Sequence, residues 1–97
     1  MDYSLVILPL AQKEIDTALG WYESKQKGVG VEFLAYLESY FLALKEGGAI
    51  FQIKRGPCFR ELPLKKFPFV IIYEIRANEI IVFSVFNTYQ DPNKKLI

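Results

Sequence analysis

Histidine is absent from the 97 residues of this chain. That excludes every Ser-His-Asp and Cys-His nucleophile system and every histidine-ligated metal site. One cysteine, Cys58, is too few for an internal disulfide or a structural zinc site, and it suits a reducing compartment. Its plain reading is a small strand residue. Net charge is almost lacking: 12 Lys+Arg against 11 Asp+Glu leave +1. The chain as a whole is no attractor of nucleic acid, so a polyanion would have to meet a local patch. No apolar run approaches the ~18–20 residues that span a bilayer. Met1-Asp2-Tyr3 also lacks the basic start and apolar core of a signal peptide. A cytoplasmic protein without membrane contact, metal or cofactor is expected.

What is present is apolar. Hydrophobic residues make up 52% and aromatics 15%, which is rich for one domain of this length. A small domain has little interior, so some of this surface is expected to meet a partner.

Tyr3 to Leu8 reads as a strand ended by Pro9, which suits the first turn of a helix. The helix from Leu10 to about Lys25 carries Ile15, Ala18, Leu19 and Tyr22 on one stripe, widened by Trp21, with Lys13, Glu14 and Asp16 outside. Gly28-Val29-Gly30 breaks the pattern. A second helix, from about Val31 to Glu46, has a core stripe of Phe33, Leu34, Leu37, Phe41 and Leu44, with Tyr36 and Tyr40 beside it. Gly47-Gly48 stops it. The short link makes the two an antiparallel hairpin.

Four strands follow: Ile50–Arg55, Cys58–Leu64, Phe69–Ile75 and Glu79–Asn87. Gly56-Pro57 turns between the first two, Lys65 to Pro68 form a loop, and Arg76-Ala77-Asn78 join the last two, with Asn78 suited to a positive φ. Asp91-Pro92-Asn93 is a turn, and Lys94 to Ile97 a tail. The fold class is α+β in the order β-α-α-β-β-β-β: an N-terminal strand and a helical hairpin packed on one face of a mainly antiparallel sheet, as one domain over residues 1–97. The strands Phe69–Ile75 and Ile80–Phe86 are apolar on both faces. The second face therefore needs the C-terminal tail, a second copy or another protein, or stays partly exposed.

Basic residues gather at Lys54, Arg55, Arg60, Lys65 and Lys66. Lys54 and Arg60, on neighbouring strands, are placed to share a phosphate; a solvated edge with Glu61 as counter-charge is the plainer reading. Cutting RNA needs a base for the 2′-hydroxyl, stabilisation of the phosphorane and an acid for the leaving oxygen. Without histidine, a lysine, a tyrosine such as Tyr73 or Tyr89, or a carboxylate would move protons and Arg60 would stabilise charge. Asn87, Thr88, Tyr89 and Gln90 form a polar cluster where a buried strand emerges. None is a good base at neutral pH, and their groups suit hydrogen-bonded recognition. Trp21, Tyr36 and Tyr40 are candidate partner anchors, or ordinary helix packing.

The ordered set of Arg60, Phe67-Pro68-Phe69, Tyr73, Asn87 and Pro92 resembles the RelE/ParE toxin superfamily of type II toxin–antitoxin systems, which includes plasmid stabilisation proteins. In that family an arginine-bearing strand is followed by Phe-Pro-Tyr, an apolar strand with a tyrosine, and a His-x-x-Arg segment before a proline. The resemblance implies a bacterial toxin silenced by a cognate antitoxin, as a homodimer or a heterotetramer. RelE-like members cut mRNA on the ribosome; ParE-like members lack that residue set and block DNA gyrase. Here Asn87 and Gln90 stand for the His and Arg, and Phe69 for the usual Tyr. The expectation is a ParE-like toxin that binds a target such as gyrase. The alternatives are a RelE-like endonuclease with Arg60, Tyr89 and Lys54 as catalytic residues, and a non-toxic interaction module. Arg55, Lys65, Lys66, Asn87 and Gln90 would bind target or phosphate.

Overall fold

The computed structural model describes residues 3–47, 53–55 and 59–89. The expected turns at Gly56-Pro57 and Asp91-Pro92-Asn93, Cys58, Gln90 and the tail lie outside them.

Among the described residues, seven elements follow in the expected order: β1 (Ser4–Ile7), α1 (Pro9–Lys25), α2 (Val29–Lys45), β2 (Ile53–Arg55), β3 (Phe59–Pro63), β4 (Phe69–Arg76) and β5 (Glu79–Asn87). The sheet has the order β1-β5-β4-β3-β2. β2 to β5 form the antiparallel meander, and β1 lies parallel to β5 at the far edge. Parallel pairing is open to them because the helical hairpin and three strands, not a tight turn, separate β1 from β5 in the chain.

Pro9 opens α1, where its missing N–H costs nothing. α2 begins at Val29, two residues before the expected start, because Gly28 adopts a left-handed φ of 95° and Gly30 continues into the helix. The α1 residue Glu23 explains this. Its carboxylate accepts the Gly28 and Gly30 amides, each at 2.9 Å, and so satisfies donors that a helix start leaves open. At the other end, Gly47 takes a left-handed φ of 77° and its amide donates to Leu44, the stop that glycine provides.

Ala11, Ile15 and Ala18 of α1 and Phe33, Leu37, Phe41 and Leu44 of α2 are buried against Leu62, Phe69, Ile71, Tyr73, Ile80, Val82 and Val85 of the sheet. The predicted stripes therefore face the sheet, with Leu19, Tyr22 and Leu34 half-buried at their margins. On the second face, Val70, Ile72 and Phe86 form a smaller cluster beside Phe59. Ile72 is 0% exposed, so the centre of that face is buried within one chain and is not left bare for a partner.

Two local features depart from regular pairing. The β4–β5 register steps from Ile72↔Ser84 to Tyr73↔Val82, which leaves Phe83 as the extra residue of a bulge. Phe83 stacks edge-on to Phe59 at 4.9 Å. In the β4–β5 turn it is Ala77, not Asn78, that takes the positive φ, at 53°. Arg76 pairs with Glu79, so Ala77 is the first central residue of a two-residue turn. A positive φ there suits the right-handed twist of the strands, whichever residue occupies the place.

Candidate functional site

The loop after β3 is held down by aromatic rings. Phe67 lies 5.2 Å from Tyr22, 5.1 Å from Phe33 and 5.5 Å from Tyr36, and so packs near the linked end of the helical hairpin. Pro68 fixes the exit of β5: its carbonyl accepts the Thr88 amide at 2.8 Å and the Thr88 hydroxyl at 3.1 Å. The Phe67-Pro68-Phe69 segment is thus a clasp between the helices and the last strand.

Between this clasp, α1 and the end of β5 lies an open groove of about 840 Å³. One wall is a stripe of α1: Leu10, Lys13, Glu14, Thr17, Ala18 and Trp21. These positions recur at three- and four-residue spacing and so share a helix face. The other wall is Val85, Asn87 and Tyr89, alternate residues of the exiting strand, with Phe67 to Phe69 at the end. Trp21 is 56% exposed and Tyr89 86% exposed, and Leu10 also shows its side chain to solvent. Lys25 lies over the Trp21 ring at 5.1 Å.

Tyr36 and Tyr40 sit on the other side of the clasp. Their hydroxyls are 3.0 Å apart, and they accept the backbone amides of Lys66 at 3.1 Å and Lys65 at 3.3 Å. Lys66 Nζ reaches Glu32 at 2.8 Å, and this hydrogen bond raises its pKa. The expected anchors therefore fix the basic loop, and Lys66 still borders the groove.

Arg60 is half-buried on β3, opposite Lys54 on β2 and Tyr73 on β4. Arg55 pairs with Phe59. The Tyr73 hydroxyl is buried with no hydrogen-bond partner among the described residues. Burial pushes its pKa up, against the opposing pull of Arg60. Burial also raises the pKa of Tyr22 and Tyr40. A phenol held protonated is a poor base at neutral pH.

The expected catalytic residues do not gather. Asn87 pairs with Phe69 and Arg60 with Tyr73, which puts four residue steps along β4, roughly 13 Å, between the Arg60 row and the strand exit that carries Tyr89. Lys54 shares the Arg60 row. Asn87, Lys66 and Tyr89 meet at the groove instead, while Gln90 falls outside the described residues. Sequence reasoning missed Lys13 and Glu14, which it left on the outer side of the helix, and Thr17, to which it gave no place. The signal was the spacing Leu10, Glu14, Thr17, Trp21, a second stripe on α1 that ends in a tryptophan. Among the described residues, no helix is long and apolar enough to cross a membrane.

In comparisons with known proteins, the family model described as the ParE toxin of type II toxin-antitoxin system, parDE, matches residues 5–92. The chain is similar to a structure of the chromosomal ParDE toxin–antitoxin system from P. aeruginosa, with 16% identity and a TM-score of 0.76. The match covers 88% of this chain and 95% of that one. It is also similar to the YoeB dimer from Staphylococcus aureus, with 11% identity, a TM-score of 0.60, and the same 88% and 95% coverage. At these identities the two structures speak for the fold. No curated protein sequence matches the chain. With the match running from β1 past the end of β5, the chain belongs to the ParE toxin family of type II toxin–antitoxin systems.

Proposed function

We propose that this toxin acts in the bacterial cytoplasm by binding a target protein such as DNA gyrase, and that a cognate antitoxin silences it by seating an apolar segment in the α1–β5 groove. The observation that carries the reading is the groove itself, where exposed Trp21 and Tyr89 flank an apolar floor. Large amphipathic rings at the mouth of a concave apolar surface are typical of binding hot spots. Family membership supports a toxin paired with an antitoxin, on a plasmid or a chromosome. The assembly would be a homodimer or a toxin–antitoxin heterotetramer.

One observation favours the RelE-like reading: Lys54 and Arg60 are cross-strand neighbours, a place for a phosphate. Against it, the tyrosine beside them is buried and held protonated, and Tyr89 stands at the other end of β4. This spacing along β4 speaks against one site built from Arg60, Lys54 and Tyr89.

The test is induced expression with and without the neighbouring reading frame, following DNA and RNA synthesis by separate pulse labels. The proposal predicts growth arrest with DNA synthesis falling first, relieved by the neighbouring frame. An early fall in protein synthesis with broken messages would replace it by the nuclease reading. Normal growth would leave an interaction module without toxicity.

A further inference from the structure

Among the described residues, the last part of β5 has no strand on its outer side. β1 pairs only with Glu79–Val82, and after the bond from the Leu8 amide to the Val82 carbonyl the chain turns into α1. Beyond Val82, Phe86 pairs inward with Val70, and Thr88 donates inward to Pro68. Main-chain groups alternate between the two edges of a strand, so Val85 and Asn87 present theirs outward.

Side chains stand where a neighbouring strand would be. Glu14 Oε1 accepts the Val85 amide at 3.0 Å and the Ser84 hydroxyl at 2.7 Å. Asn87 Oδ1 accepts the Tyr89 amide at 2.8 Å. Ser84 is only 2% exposed, so the α1 carboxylate reaches into a nearly buried polar spot created at the Phe83 bulge.

The segment so covered is a hazard when open. Phe83 to Phe86, beyond the reach of β1, ends the run Ile-Ile-Val-Phe-Ser-Val-Phe of Ile80–Phe86, which has no charge, no proline and high strand propensity. A free edge of that composition is a template for pairing with another chain, and natural sheets protect such edges with bulges and inward-pointing charges. Both devices occur here at the same place.

We propose that Glu14 is a strand guard: its carboxylate occupies the free edge of β5 as a substitute main-chain acceptor and keeps that edge from pairing with β5 of a second copy. The guard is a property of the fold and stands whatever the toxin binds.

The test compares the wild type with Glu14→Ala, Glu14→Gln and Glu14→Asp, reading amide exchange at Val85 and concentration-dependent association by sedimentation. Glu14→Ala should speed Val85 exchange about tenfold and associate at lower concentration than the wild type. Glu14→Gln keeps the reach and an accepting oxygen, so it should behave as the wild type. Glu14→Asp keeps the charge but is too short, so it should follow Glu14→Ala; it carries the same test if the alanine variant melts too low to measure. Unchanged Val85 exchange and association in both Glu14→Ala and Glu14→Asp would overturn the proposal. So would a wild-type-like Glu14→Asp beside an associating Glu14→Gln, which would assign the effect to charge alone.

Discussion

Glu23 on the last turns of α1 holds the Gly30 amide of α2 at 2.9 Å. The two backbones meet closely there: a Cβ on Gly30 would lie 2.7 Å from the Leu19 carbonyl oxygen. Gly30→Ala should therefore destabilise the protein by about 1–3 kcal/mol, the usual range for overpacking. Glu23→Ala should cost about 0.5–2 kcal/mol, like the loss of a helix cap. Denaturant melts of the two variants check both values, and an unchanged midpoint for Gly30→Ala would contradict the close approach.

Ala77 carries a left-handed φ in the β4–β5 turn. An L-residue pays about 1–2 kcal/mol for that conformation, and glycine avoids it at some cost in unfolded-chain freedom. Ala77→Gly should gain about 0.5–1 kcal/mol on balance. The thermal midpoint should rise by a few degrees.

These two sites mark what the sequence made legible and what it did not. The stripe Phe33, Leu37, Phe41, Leu44 announces α2 by its period alone, and its burial on the sheet follows. The start of the helix at Val29 depends on a carboxylate from another helix, so a glycine pair read locally as a break. Asn78 is the better residue for a positive φ, yet the turn demands it one position earlier. Trp21 was visible in the sequence as a candidate anchor, whereas the Glu14 contact with β5 arises only when α1 meets that strand. Tyr36 and Tyr40 showed as a stripe, but their use as acceptors for Lys66 and Lys65 joins residues 30 and 25 positions apart.

Alkaline pH should unfold the protein early. Tyr22, Tyr40 and Tyr73 all have pKa values raised above 10.0 in the folded chain, chiefly by burial. Lys66 is raised above 10.5 by its hydrogen bond to Glu32. A raised folded value means that the native state holds its proton longer. The stabilisation is complete below the unfolded value and is lost as pH rises through the folded one. The thermal midpoint should stay level on this account up to about pH 10 and fall above it. Tyr73→Phe removes a buried hydroxyl that has no partner among the described residues. It should raise stability by about 1 kcal/mol and make the alkaline fall shallower.

The groove makes a separate prediction. Trp21→Ala and Tyr89→Ala should each weaken binding of the product of the neighbouring reading frame by about tenfold or more, as hot-spot truncations do. Both side chains are largely exposed, so the melting curves should hardly move. Equal affinity in the two variants would place the antitoxin elsewhere.

The proposed toxin binds its target and does not cut RNA. Mapping of message 5′ ends after induction tests this directly, with Arg60→Ala as the companion variant. Intact messages in wild-type cells whose growth has stopped are predicted. New cleavage ends that appear with the wild type and vanish with Arg60→Ala would contradict it.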